Sequence, residues 1–319
     1  GIETTAAAGE WIEGLNKMDM NIVTSRHSKK VFDEADYTKE YKDGSGRKEQ
    51  LRNNKPMEIC FWGANTEIYK ITNEKVESVE KVLNQIPETF AFLFVGQWTH
   101  ENPFADRKDI GNLIKTFLTT FRNRPQKPCL ILKTSGTNYS KVDKDSILKK
   151  IKAAESQVDG DKPNVYLNHG ELNDVEMNAL FNHEKVKCHV SFTHGEGFGH
   201  PLLLASLSGK PVLAPDWSGH LDFLKQGAVL LDGETKEVHP SAQNQFILQG
   251  SQWFYVNYSN AAVKMLDIYK NYDKYSTESK KLAETNKVKF SMNSMTESLR
   301  KIANTHIKVA QKIDLILPD

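Results

Sequence analysis

Between residues 90 and 214 apolar positions gather in short unbroken runs, separated by longer stretches in which apolar and polar residues mix at helical spacing. Phe90-Ala91-Phe92-Leu93-Phe94-Val95, Cys129-Leu130-Ile131-Leu132 closed by Lys133, Cys188 to Phe192, and Pro211 to Ala214 carry almost no polar alternation. Such runs predict strands covered on both faces, at 90–95, 129–133, 188–192 and 211–214, with a further strand at 164–167. Helical spacing predicts helices at 111–121, 146–154 and 173–183. Asn173 with Glu176 three residues on is the pattern of a capping box. Strands alternating with helices imply an α/β fold with a doubly wound parallel sheet, whose ligands belong at the carboxyl ends of its strands.

The flanks read differently. A helix is predicted at 11–18, a strand at 20–25 and a helix at 28–35. Residues 39–56, dense in charge, Gly and Asn, read as a solvated loop. A strand follows at 57–62, then Gly63-Ala64-Asn65-Thr66. From about residue 252 the tail reads as helical, with helices at 261–272 and 277–288. No internal repeat is visible.

Composition narrows the class. The chain has 319 residues, 39% hydrophobic and 26% charged, enough for ordinary cores. A net charge of +1 carries no general attraction to nucleic acid or an anionic membrane. Cys60, Cys129 and Cys188 lie far apart with no C-x-x-C pair, so buried free thiols are expected rather than disulfides or a metal site. That fits a reducing, cytoplasmic compartment. No apolar stretch reaches transmembrane length.

The chemistry concentrates in His194-Gly195-Glu196-Gly197-Phe198-Gly199-His200-Pro201, which links the strand at 188–192 to a short helix. Pro201 suits a first helical turn and Gly209 a helix end. A glycine turn before a helix offers backbone N–H groups to a phosphate. Glu196 would repel a phosphate and suits sugar hydroxyls instead. Phosphate plus polyol points to a nucleotide sugar.

This stretch, continued through Leu202-Leu203-Leu204-Ala205 to Gly209-Lys210-Pro211-Val212, resembles the signature E-G-F-G-x-P-L-L-E-A-x-x-x-G-x-P-V. That signature belongs to the retaining family-4, glycogen-synthase-like glycosyltransferases of GT-B fold. Phe94-Val95-Gly96-Gln97-Trp98 looks like that family's phosphate-side loop. Arg107-Lys108-Asp109-Ile110 with Leu113-Ile114-Lys115-Thr116-Phe117 looks like its R-K-G-x-x-x-L-I-x-A-F helix, and 217–223 like its second glycine loop. The resemblance covers about 90–231.

It implies a GT-B architecture: residues 1–70 as the C-terminal part of an acceptor-side Rossmann-like domain, 71–285 as the nucleotide-sugar domain, and 286–319 as a helix returning toward the first. The chain opens at Gly1 as if mid-domain. A fragment, a partner chain supplying the rest, and a reduced fold all remain open. The resemblance makes Glu196 and Lys108 the catalytic pair, Lys108 neutralising the diphosphate. Donor contacts are expected from Gly96, Gln97, Lys133, Gly195, Gly197, Phe198, Gly199, His200, Leu172 and His220. The nucleotide diphosphate sugar is a co-substrate, and no cofactor or metal is expected. Glu196→Gln is expected to lower turnover and leave the melting temperature nearly unchanged.

Two departures weaken the catalytic reading. Gln97 stands where the family has arginine. Leu204 stands where the second glutamate of E-x7-E would hold the ribose, and a leucine there can only pack. Besides a glycosyltransferase with unknown acceptor, two alternatives follow: a degenerate structural or interaction subunit, and an enzyme glycosylating modified DNA bases.

Overall fold

The computed structural model describes residues 1–41 and 44–307. The elements run α1 (Gly9–Leu15), β1 (Asn21–Val23), α2 (Arg26–Glu34), β2 (Tyr37–Glu40), β3 (Lys48–Leu51), β4 (Met57–Ile59), α3 (Glu77–Leu83) and β5 (Ala91–Val95). There follow α4 (Ile110–Phe121), β6 (Cys129–Lys133), α5 (Lys141–Glu155), β7 (Val165–Asn168), α6 (Asp174–Asn182), β8 (Val186–Val190) and α7 (His200–Ser206). The chain continues through β9 (Val212–Pro215), α8 (Leu221–Leu224), β10 (Val229–Leu231), β11 (Gly233–Glu237), β12 (Gln252–Val256), α9 (Tyr258–Lys270), α10 (Tyr272–Lys289) and α11 (Met292–His306).

The main sheet has six strands in the order β10-β9-β8-β5-β6-β7, all parallel. Its central strands are buried on both faces because alternate residues enter different cores. Phe92, Phe94, Leu130 and Leu132 join one cluster with α4, α5 and α9; Ala91, Leu93, Cys129 and Ile131 join another with α3, α6 and α7. This is the doubly wound sheet predicted from the unbroken apolar runs. The capping box of α6 is present, with Asn173 and Glu176 bonded reciprocally.

A smaller unit precedes it. β1 and β4 pair in parallel, and Ile12, Val23, Val31, Phe32 and Met57 form its core. The stretch expected to be a solvated loop holds an antiparallel hairpin, β2 with β3. Its side chains are mostly exposed, so no apolar alternation marks it in the sequence. The strand predicted at 57–62 ends at Ile59, and the tail expected to be helical opens with β12, paired to β11.

The last helices run back along the small unit. Ala64 N–H donates to the Phe290 carbonyl (2.8 Å) and Met292 N–H to the Ala64 carbonyl (2.9 Å). His306 reaches Glu58 at 2.9 Å. The expected boundary at 285 falls within α10, and the end of the 286–319 segment, from 308, lies outside the described residues. Among the described residues no helix is long and apolar enough to cross a membrane. Cys129 and Cys188 are buried free thiols; Cys60, just past β4, is only half-buried.

Candidate functional site

The winding order dictates where a site can form. From β5 the chain moves one way to β6 and β7, then returns to β8 on the other side of β5. The loops leaving β5 and β8 therefore diverge, and the crevice between them is the topological switch point. Lys108 comes from the first loop and Glu196 from the second. His194 N–H donates to the Arg107 carbonyl at 2.8 Å, stitching the loops together.

Lys108 Nζ donates to Glu196 Oε1 in a tight ion pair between a half-buried lysine and a buried carboxylate. Arg107 stands 3.5 Å from Glu196 Oε2 and donates to the Gly195 carbonyl at 2.6 Å. Burial pushes the Glu196 carboxyl up, but the charges of Lys108 and Arg107 outweigh it and hold the pKa at about 2. Burial lowers the Lys108 pKa against the pull of Glu196.

The glycine loop is shaped by close approaches. A Cβ on Gly195 would lie 2.1 Å from the Glu3 carbonyl oxygen, and Gly199 has φ +87°. The Gly197 carbonyl accepts from Ser25 Oγ (2.6 Å), Thr24 Oγ1 (3.3 Å) and Ser28 Oγ (3.3 Å), all carried by the small unit. Glu196 N–H donates to Ser218 Oγ at 3.0 Å. Behind Ser218 stands His220, whose Nε2 donates to the Pro215 carbonyl at 2.7 Å. Burial keeps His220 neutral.

Beside the ion pair lies a cavity of about 460 Å³, lined by Gly96, Gln97, Lys108, Lys133 and Leu172 among the predicted residues. Asp106, Thr134, Ser135 and Tyr139, which sequence reading did not single out, line it too, as do Arg107 and Pro201, which the sequence marks as motif positions but not as donor contacts. Lys133 ends β6, donates to the Gly170 carbonyl, and lies 5.4 Å from the Tyr139 ring centre. Gly195, Glu196, Gly197, Phe198, Gly199, His200 and His220 are not in the lining. Phe198 is a core residue against Phe223 at 5.1 Å, and His220 supports the loop from within instead of facing the cavity.

Each departure from the resembled pattern has a structural counterpart. Gln97 is exposed on the cavity wall. Leu204 is half-buried and packs against the second core cluster. In α7, residues 200, 201 and 204 are the less buried positions, which places Leu204 one turn along the face that begins at Pro201. Asp109 occupies the glycine position of R-K-G, in the left-handed region at φ 52°. Tyr258 OH donates to it at 2.6 Å and Asn112 Nδ2 at 2.8 Å. Burial drives its pKa up to about 8. Short polar side chains tolerate that backbone region best, but neither the helix pattern nor the charge of Asp109 announces it.

Among the described residues, no three His, Cys, Asp or Glu side chains are grouped to hold a metal ion. His194 Nδ1 donates to the Phe254 carbonyl at 2.8 Å and is neutral, its pKa lowered by burial to about 4.

No protein-family model matches the sequence. No curated protein sequence matches it either. Solved structures do match. HepE from Anabaena in complex with UDP-glucose is 14% identical, with a TM-score of 0.61 over 92% of this chain and 66% of that one. A glycosyltransferase from Rickettsia africae is 13% identical, with a TM-score of 0.63 over 95% and 68%. Sucrose-phosphate synthase from Thermosynechococcus elongatus is 15% identical, with a TM-score of 0.61 over 92% and 60%. The chain thus spans less than two thirds of HepE and of the synthase. These likenesses establish the fold: α/β, of the GT-B type, with a doubly wound parallel sheet.

Proposed function

We propose that the chain transfers a sugar from a nucleotide diphosphate sugar, with Glu196 and Lys108 at the reacting centre. The observation that carries this reading is the Lys108–Glu196 pair, set at the switch point of the sheet and against a cavity of about 460 Å³. The diphosphate lies toward Lys108 and Lys133, whose charges stabilise a leaving group as it departs. Glu196 meets donor-sugar hydroxyls, and Leu172 marks the nucleotide end. Phosphate oxygens compete with Glu196 for Lys108, which frees the carboxylate for the sugar. In this reading lysine and arginine supply the positive charge, and the family-4 resemblance implies transfer with retention. HepE, which shares the fold, holds UDP-glucose, which favours a uridine diphosphate sugar as the first donor to try.

Calorimetry with uridine, guanosine and adenosine diphosphates tests it, followed by release of nucleotide from the matching sugar donor. Binding of one of them at millimolar concentration or better is expected. No heat from any of the three removes the reading's support.

A second reading keeps the fold as a structural subunit. It is favoured by the lost ribose ligand at Leu204, the lost cation at Gln97, and the internal partners that Lys108 and Lys133 already have. Binding without donor turnover is its signature.

A further inference from the structure

Every residue lining the cavity belongs to the segment between Val95 and Pro201, on the large-sheet side. One aromatic side chain approaches from the small unit. Trp62 follows the carboxyl end of β4 and is 59% exposed, whereas Trp98 and Trp253 are fully buried. Its indole stacks on the His200 imidazole, centroids 4.8 Å apart and planes 16° from parallel. His200 opens α7, and the next residue, Pro201, lines the cavity. The indole therefore stands at the seam between the two units, beside the candidate donor site.

The His200 ring is committed to this stack. Its Nε2 is buried and has no hydrogen-bond partner among the described residues. Burial lowers its pKa, against a hydrogen bond with the Gly63 backbone and the charge of Asp174, so the ring stays neutral. An unsatisfied buried nitrogen is a cost that native structures rarely carry without a reason. The imidazole covers one indole face while the Trp62 side chain as a whole remains open to water.

We propose that Trp62 is a platform for the acceptor, and that the acceptor is a saccharide. The proposal rests on the glycosyl-transfer reading above for the word acceptor, but not for the binding itself. A flat, rigid aromatic surface fits the apolar face of a pyranose, whose C–H groups pack on the π-cloud while its hydroxyls stay at the wet rim. An anionic ligand would find no cation in the stack, because burial disfavours the charged imidazole. In the proposed function the nucleotide end is at Leu172, on the large-sheet side of the cavity. The indole instead comes from the unit that contributes nothing to the cavity wall, as a second substrate's contact should.

The test is binding followed by indole N–H resonances. The protein has five tryptophans, and Trp62→Phe assigns its signal. Maltose and methyl glucosides are titrated to about 50 mM, in the range of weak carbohydrate contacts, with UDP as the control. The expected result is a saturable shift of the Trp62 signal with a sugar and none with UDP. Trp62→Ala should weaken that sugar about tenfold and leave any UDP affinity within about twofold. His200→Ala, which releases the stack, should weaken the sugar in the same direction. Absence of any shift at Trp62 with these sugars overturns the proposal. So does a shift produced by UDP alone, which assigns the indole to the nucleotide. Failure of UDP to bind counts against the transferase reading only, since the sugar titration is read without it.

Discussion

Lys108 and Glu196, 88 positions apart in the chain, share a part-buried hydrogen bond where the loops after β5 and β8 diverge. The pair holds a cation and an anion together at the edge of the cavity that Lys108 lines.

If the proposed transfer operates, Glu196→Gln should lower turnover more than about tenfold, because the lost interaction would strengthen as the sugar becomes cationic. The structure corrects the expectation of an unchanged melting temperature. The amide leaves the half-buried Lys108 without its counter-charge, so stability should fall by about 1–3 kcal/mol. The pH dependence has a definite sign. A carboxyl held at about 2, against an ordinary 4.5, contributes stability above 4.5 that is lost as pH falls toward 2. Wild-type melts over that window should therefore slope more steeply than those of the variant. Equal slopes contradict the pairing.

Leu204→Glu probes the missing ribose ligand. Because Leu204 is half-buried on the face that begins at Pro201, the carboxylate can reach the cavity edge at a stability loss of about 1 kcal/mol. Nucleotide diphosphate should then bind about 1–2 kcal/mol more tightly. Melts with and without nucleotide read both effects. A destabilised variant that does not respond to nucleotide favours the structural-subunit reading.

Gln97→Arg restores a cation to an exposed position on the cavity wall. Its melting should stay within about 0.5 kcal/mol of wild type. Diphosphate affinity should rise about tenfold at low salt, and the gain should shrink as ionic strength increases. Calorimetry at two salt concentrations measures it, and a salt-independent gain argues against a charge contact with phosphate.

Asp109→Asn keeps a residue suited to φ 52° and removes a buried acid whose pKa is raised to about 8. A raised carboxyl contributes stability that is complete below its ordinary 3.8 and lost as pH climbs through about 8. The wild type should therefore lose melting temperature relative to the variant from pH 4 to pH 8, with the gap levelling above. A constant gap across that range shows that Asp109 titrates normally.

The parts of the molecule legible in the sequence are those fixed by local rules. β5, β6 and β9 are unbroken apolar runs, and α6 carries its capping box in Asn173 and Glu176. What escaped is set by pairing across the chain. β11 is Gly-Glu-Thr-Lys-Glu, exposed throughout, and exists only because β12 hydrogen-bonds to it. The hairpin of β2 and β3 is hidden in the same way. At the site, the motif located Lys108 and Glu196. It did not show that Ser218 and His220 hold the loop from behind, because that contact depends on a left-handed Ser218, at φ 77°.

The glycine loop has one more property, which follows from where its carbonyls go. That of Gly195 is taken by Arg107, that of Glu196 by Gly219 N–H, that of Gly197 by three hydroxyls, and that of Gly199 by Leu202 N–H. With these oxygens spent inside the protein, the loop meets a guest almost wholly as a donor surface. In the proposed function, a donor sugar's O–H groups would meet the Glu196 carboxylate as the charged acceptor there. On that reading, telling one stereoisomer from another at this loop would reduce to which two hydroxyls a single carboxylate can grasp.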